Sequence, residues 1–350
     1  MAALVLGGSV FVGHRLVETL VETGSDVAVL NRGQTPTVLP PGVERIVADR
    51  TDTAAMCEAL AAREWDAVYD VSGFVMAAGG ADIDGLLDLL DGRTGAYVYV
   101  SSIMAYRQGR GVFPWYEQDP VTHDPPTSYG GFKVAAERAV LEHHARRGFP
   151  GSVVRPAAIY GPGNNIYDME TPMFLRLRRG RPVIVPHGGL VVGSYGHVDD
   201  LCHAMAVMAG SRLADGEVVN VTAEAVTVAE YVGTLARIVG VHANLVLAPD
   251  EAFVGLVRMP FGHLFGRAHH AALSTRKAET LLGISPRYDL SAGHRHTYAW
   301  FMEHGLDRLE APLSDPVWRA SWDFDAEDEF LRRLGPATTS LMHSPEGDAR

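Results

Sequence analysis

Three features of this chain point to an α/β fold, a doubly wound parallel sheet followed by a smaller C-terminal α/β lobe. Short β-branched runs alternate with longer helical patterns through the first 156 residues, the order that yields parallel strands joined by right-handed crossovers. Glycines follow the first run directly. After Pro156 the pattern breaks into irregular stretches punctuated by Gly and Pro. Taken in order, Ala2–Leu6, Asp26–Leu30, Glu44–Ala48, Asp66–Val71, Ala96–Val100 and Ser152–Arg155 read as buried strands. Between them, Phe11–Thr23 sets Leu16, Val17, Leu20 and Val21 on one helical face, and Asp82–Leu90 does the same with Ile83, Leu86, Leu87 and Leu90. Beyond Pro156, strands are expected near Val183–Val185 and Val218–Val221, and helices near Val228–Val239 and Ser274–Leu282. The chain thus divides into a sheet domain over residues 1–156, a lobe over 157–335 that returns some strands and helices to the first core, and a mobile tail over 336–350.

Composition narrows the function classes. Of 350 residues, 47% are hydrophobic and 21% charged, the balance of a chain that buries a large core. The formal charge of −12, from 42 acidic and 30 basic residues, repels phosphate backbones and anionic membranes. Neither nucleic acid nor membrane is therefore expected as a partner; a small molecule is. Cys57 and Cys202 form no C-x-x-C pair or metal spacing, which suits a reducing cytoplasm. No apolar run approaches the ~18 residues of a membrane span, and Met1–Leu6 meets glycines without a basic flank, so no signal peptide is read. Only Lys133 and Lys277 are lysines, so the position of each carries information.

The glycine turn Gly7-Gly8-Ser9-Val10-Phe11-Val12-Gly13 joins the first strand to the first helix. A tight turn that lets backbone approach a pyrophosphate, opening onto a helix N-terminus with free N–H groups, is what a dinucleotide needs. Gly7, Ser9, Val10, Phe11, Val12 and Gly13 are accordingly the expected cradle. The second strand ends in Asn31-Arg32 instead of the acidic residue that accepts the ribose hydroxyls of NAD. Asn31 can bond a sugar without repelling a phosphate, and Arg32 can pair with a 2′-phosphate, so the cofactor is read as NAD(P)(H) with NADP preferred. Arg32 stacked on the adenine, or lying in solvent, is the alternative. Asp49 and Arg50 fall at the adenine edge, and Val71, Ser72 and Gly73 at the rim passed by pyrophosphate and ribose. Ser101, Pro156 and Ile159, beside the ends of later strands, complete the expected cofactor contacts.

Tyr129 and Lys133, four apart at the opening of a helix, share one face. With 12 tyrosines and two lysines, chance would supply about 0.07 such Y-x-x-x-K pairs, which favours a functional reading. A tyrosine with a pKa of about 10 becomes a usable acid/base near neutrality only when positive charge stabilises its phenolate. Lys133 supplies that charge and can hold the nicotinamide ribose. A hydroxyl is also needed beside the substrate oxygen, and the fifth strand ends in Ser101-Ser102, with Ser102 the better candidate.

Together these residues resemble an extended or atypical short-chain dehydrogenase/reductase, of the superfamily that holds nucleotide-sugar epimerases and dehydratases. The likeness spans most of the chain. It rests on the glycine turn, Asp49, Ser102, Tyr129 with Lys133, Arg155-Pro156 with Tyr160-Gly161-Pro162-Gly163, and His197-Val198-Asp199-Asp200 introducing a helix. In the family's G-x-x-G-x-x-G spacing Gly7 and Gly13 fill the outer positions, while Val10 replaces the middle glycine. The resemblance implies a Rossmann sheet, Ser102 as oxygen positioner, Tyr129 as general acid/base, Lys133 as its tuner, and homodimerisation through the helix of Tyr129.

Two departures bear on chemistry. Where the family's 4,6-dehydratases place an acidic pair after the hydroxyl residue, this chain has Ile103 and Met104. Where its nucleotide-sugar enzymes carry an arginine four residues before the His-Val pair, it has Gly193. The expected activity is therefore an NAD(P)-dependent reductase or dehydrogenase on a hydroxyl or ketone of a sugar-like or natural-product molecule, with a nucleotide-sugar epimerase as the alternative. Met104, Asn165, Met169 and Arg267 are the substrate candidates, though core packing would equally explain Met169. The cluster Arg176, Arg178, Arg179 and Arg181 could grip a pyrophosphate but reads more simply as a solvated helix end. Gly7-Gly8, Asn31-Arg32-Gly33 and Tyr69-Asp70-Val71 are also similar to the atypical branch containing chloroplast stem-loop RNA-binding proteins, a non-catalytic reading that the chain's acidity opposes. The paired histidines His143-His144, His269-His270 and His294-x-His296 lack a Cys or carboxylate framework, and no metal is expected.

Overall fold

The structure is a computed structural model and describes residues 1–60, 62–71, 79–109, 111–164, 169–256, 269–304 and 324–334, with backbone alone for 79–82. Its strands are β1 (Ala2–Leu6), β2 (Asp26–Asn31), β3 (Glu44–Val47), β4 (Ala67–Asp70), β5 (Tyr97–Val100), β6 (Gly151–Pro156), β7 (Ala158–Tyr160), β8 (Val183–Pro186), β9 (Val192–His197), β10 (Val218–Val221), β11 (Ala225–Thr227) and β12 (Leu245–Ala248). The helices are α1 (Phe11–Glu22), α2 (Thr53–Leu60), α3 (Gly79–Leu90), α4 (Tyr129–Arg147), α5 (Glu170–Arg178), α6 (Val198–Ala209), α7 (Val228–Val239), α8 (Arg276–Leu282), α9 (Leu290–His304) and α10 (Phe324–Leu334).

Seven strands form a parallel sheet in the order β10-β6-β5-β4-β1-β2-β3. The order reverses between β1 and β4, so the carboxyl ends of those strands diverge into a crevice, the place where doubly wound sheets bind ligands. Period-two alternation fills both faces. Ala3 and Val5 pack with Leu16 and Val17 of α1 and Leu201 and Met205 of α6, while Leu4 and Leu6 pack with Met56 of α2, Leu87 of α3 and Val140 of α4. Val218–Val221, expected in the smaller lobe, is instead the seventh strand of this sheet, pairing with β6. Its residues Val219, Asn220 and Val221 are buried, as a strand covered on both faces must be.

The unit built on this sheet comprises Met1–Asn165, Ser194–Ala225 and Ala271–Asp289. Within it β7 runs parallel to β9 through Ala158–Tyr195 and Tyr160–His197. α6 starts where the His197 ring accepts a hydrogen bond from the Asp199 N–H, and α4 starts where the Ser128 hydroxyl accepts from Gly131. The second unit comprises Ile166–Gly193, Val226–His270 and Leu290–Arg350. There β8 pairs in parallel with β12, and α7 packs on α5 and α9. Among the described residues no helix is long and apolar enough to cross a membrane.

Within the arginine cluster, Arg178 and Arg179 are exposed as a solvated helix end should be, but Arg176 and Arg181 are not. Arg176 is 1% exposed, gripping the buried Glu327 of α10 through both terminal nitrogens and stacking on Phe324. Arg181 bonds Asp328 at 2.7 Å and lies 4.3 Å from the centre of the Phe324 ring. These arginines fasten α10. A buried charge that loses its partner costs about 3–5 kcal/mol, so Arg176→Ala should lower thermal stability by that order and expose α10 to limited proteolysis, whereas Arg176→Met with Glu327→Leu should recover most of the loss. Melting curves and digestion patterns of the two variants check this.

Candidate active site and cofactor cleft

The first loop after β1 is held by backbone. Gly7 has φ 99°, in the left-handed region, and its N–H donates to Leu30 O at 3.0 Å, tying the turn to the end of β2. A Cβ on Gly13 would lie 2.3 Å from the Gly7 carbonyl oxygen, so only glycine lets α1 start this close to the strand. Val10 is the N-cap of α1, with extended backbone, and offers no side-chain bond to its first turn; the residue is 41% exposed. The leading N–H groups of α1 are thereby left for an anion.

A second contact ties this turn to the next. Asn31 donates from Nδ2 to the Ser9 hydroxyl at 3.0 Å and accepts from the Gly33 N–H at 2.8 Å. A cleft of about 250 Å³ opens above it, lined by Gly7, Ser9, Asn31, Arg32, Asp49 and Arg50 among others. Asp49 accepts from the N–H and hydroxyl of Thr51, and these bonds, with the nearby Arg32 charge, hold its carboxyl below the usual range. The Arg32 side chain is exposed at the rim. Arg50 lines the cleft as well, with its guanidinium turned onto the buried Asp70. A glycine-only cradle, uncapped helix N–H groups and a carboxylate acceptor at the far end fit an adenine dinucleotide.

The other half of the site grows from the carboxyl end of β5. Ser101 donates its hydroxyl to Glu137, whose carboxylate Arg155 also grips through Nε at 2.9 Å and Nη2 at 2.6 Å. The Ser101 hydroxyl is thus committed inside the core, which leaves only the backbone of this expected cofactor contact to meet a ligand. Ser102 accepts from the Met104 N–H at 3.1 Å, which leaves its own hydroxyl proton to donate. A Cβ on Gly130 would lie 2.5 Å from Met104 O, so α4 begins pressed against the turn that carries Ser102. Tyr129, the first residue of α4, is 36% exposed. Lys133, one turn on, is buried, donates to Val100 O at 2.7 Å and lies 5.7 Å from the centre of the Tyr129 ring. Burial pushes its amine down to about 8 and Arg50 acts in the same direction, whereas Asp70 and Glu137 oppose the fall.

The remaining candidates scatter. Val71 closes β4 by donating to Leu6 O at 3.1 Å. Pro156 ends β6 against Val221, and Ile159 is buried in the apolar core beneath. Met104 is half-buried beside Trp115, and Met169 is buried at the start of α5 in the second unit. Ser72, Gly73, Asn165 and Arg267 lie outside the described residues. Glu137, Arg155 and Asp70 were not among the expected site residues. Glu137 alone left a readable signal, standing one turn beyond Lys133 on the same helix.

Fold and cleft together define an NAD-dependent enzyme of the extended short-chain dehydrogenase/reductase class. The profile of the NAD dependent epimerase/dehydratase family matches residues 3–222, and the chain belongs to that family. It is 30% identical to the chloroplast stem-loop binding protein of 41 kDa b from Arabidopsis thaliana, over 94% of this chain and 84% of that protein. It is also 30% identical to the 2′-dehydrokanamycin reductase of Streptomyces kanamyceticus, over 63% of this chain and 61% of that one. Among solved structures, the dTDP-glucose 4,6-dehydratase of Bacillus anthracis in complex with NAD superposes with a TM-score of 0.73 at 18% identity, covering 87% of this chain and 97% of that one.

The tight approach at Gly13 generates a prediction. Gly13→Ala forces the glycine turn apart, and overpacking of this kind costs about 1–3 kcal/mol. The variant should melt earlier and bind NADH at least tenfold more weakly by fluorescence titration; wild-type affinity would separate the turn from the cofactor.

Proposed function

We propose that this protein is a reductase or dehydrogenase that uses NADP(H) in preference to NAD(H) and acts on a hydroxyl or ketone of a sugar-like or natural-product small molecule, with Ser102, Tyr129 and Lys133 as its catalytic residues. The observation that carries the reading is the buried Lys133 ammonium beneath the half-exposed ring of Tyr129. In the reductive direction the Ser102 hydroxyl and the Tyr129 phenol both hydrogen-bond the substrate carbonyl oxygen. As charge builds on that oxygen, Tyr129 releases its proton to it, and Lys133 stabilises the phenolate left behind. Oxidation runs the same proton in reverse, with Tyr129 as base. The dinucleotide, held by the glycine turn and the α1 N-terminus, supplies or accepts the hydride when bound.

Dehydration finds no support at the turn after Ser102, where Ile103 is buried and Met104 half-buried among apolar side chains in place of an acid and a base. The named activity of the Streptomyces kanamyceticus relative, a reductase, favours reduction over epimerisation. The plant relative is named for stem-loop binding, but a net charge of −12 leaves this chain poorly suited to a polyanion.

Tyr129→Phe should abolish turnover while cofactor affinity stays within a few-fold, since only the mobile proton is removed. Nicotinamide absorbance should change stoichiometrically with product; substrate inversion without net absorbance change would identify an epimerase instead. Arg32→Ala should weaken NADPH by about 1–3 kcal/mol and hardly affect NADH, the cost of one charge-assisted phosphate contact. Equal losses in a paired titration would show that Arg32 contacts the adenine.

A further inference from the structure

The Tyr129–Lys133 pair rests on buried charges that the proton transfer itself does not use. Asp70, at the end of β4, is fully buried; Arg50 grips its two carboxylate oxygens at 2.8 and 2.9 Å, and the Tyr97 hydroxyl donates a further bond at 2.8 Å. In the sheet register Asp70 stands opposite Tyr99, and the Lys133 ammonium lies 5.1 Å from the centre of the Tyr99 ring. Arg50 also lines the cofactor cleft. A continuous set of side chains therefore runs from the cleft floor, through Asp70 and the tyrosines of β5, to Lys133. Buried ion pairs add little net stability compared with apolar packing, so one at the edge of a ligand cleft calls for another role.

We propose that Arg50 and Asp70 form a positioning pair for Lys133, setting the charge around its ammonium beside Tyr129 and joining the cofactor cleft to the Tyr129–Lys133 pair; this rests on the reading of Lys133 given above. The groups facing Lys133 are Asp70 from β4, Arg50 from the segment after β3, Tyr99 from β5, and Glu137 and Tyr129 from α4 itself. Burial is the largest influence and drives the proton off, Asp70 opposes it more strongly than Glu137 does, and Arg50 reinforces it. Glu137 is already shared between Ser101 and Arg155. The two members of the pair thus act on Lys133 with opposite signs. Neutralising Asp70 exposes Lys133 to Arg50 and favours loss of the proton; neutralising Arg50 leaves the Asp70 charge to retain it.

The sequence permits a direct test, because Lys133 and Lys277 are its only lysines. Lysine labelled with 13C and 15N gives two side-chain signals in the full-length protein, and Lys277, paired with Glu217, serves as internal reference. In Asp70→Asn the Lys133 midpoint should fall by about one pH unit, and in Arg50→Gln it should rise by a similar amount. Opposite shifts are expected of two charges that both act on the Lys133 ammonium, whereas a pair too distant or too screened to reach it leaves the midpoint where it was. A Lys133 midpoint unchanged in either folded variant, or moved the same way in both, overturns the proposal. Arg50→Gln, at the cleft edge, carries the test alone if Asp70→Asn does not fold. Titration is read without turnover, so retained activity in Tyr129→Phe would sink the catalytic reading while leaving this measurement intact.

Discussion

The ammonium of Lys133 sits at the carboxyl edge of the sheet with 4% of the residue exposed, and an unanswered charge there would cost several kcal/mol. Its neighbours are arranged to answer it. β5 offers the Val100 carbonyl and the Tyr99 ring, β4 offers Asp70, and α4 offers Glu137 one turn away. Those groups bring their own requirements: Asp70 needs Arg50 and Tyr97, and Glu137 needs Arg155 from β6. Arg155 in turn lies 4.5 Å from the ring centre of Tyr106 and bonds the Glu117 carbonyl at 3.1 Å. Glu117 accepts from the Asn220 N–H of β10 at 2.9 Å. One buried cation thereby constrains strands β4, β5, β6 and β10 in register with α4.

This chain of polar contacts explains why the sheet keeps buried polar residues that its hydrophobic pattern would not select. Asn220 is fully buried on the strand beside β6, where it accepts from the Tyr106 hydroxyl and donates to the carbonyls of Trp115 and Ser274. Asn220 and the groups bonded to it have their partners, the condition under which a buried network orders a core, whereas the buried Tyr99 hydroxyl and Trp115 indole N–H beside them have none among the described residues.

How much of this was legible depends on sequence distance. The alternation of β-branched runs and amphipathic helices announced β1 to β6, α1 and α3, because periodicity is a local property. Gly7, Gly13, Ser102, Tyr129 and Lys133 were legible because turn chemistry and a helical spacing of four leave fixed signatures within a few residues. Asp70 with Arg50, Arg155 with Glu137 and Arg176 with Glu327 were not. They pair across 20, 18 and 151 residues, and apart from the place of Glu137 one turn beyond Lys133 nothing in the local pattern distinguishes them from solvated charges. Arg50 was assigned to the adenine edge and Arg176 to a solvated helix end for that reason. Val218–Val221 was legible as a strand but not as a member of the large sheet, since its partner β6 is set by topology.

The bond from Asn31 to Ser9 has a consequence for redesign. On the function proposed above, it links the loop where Arg32 would meet the adenosine ribose to the turn that would hold the phosphates, so the two recognition tasks would share a hinge point. In a chain where those loops were independent, cofactor preference could be exchanged by editing the end of β2 alone. Here a substitution at Asn31 also frees the Ser9 hydroxyl and the Gly33 N–H, and changes at positions 9, 31 and 33 will combine non-additively. On the same reading, an evolutionary route from one dinucleotide to the other would run through Arg32, which is exposed and takes no part in the Asn31–Ser9 bond.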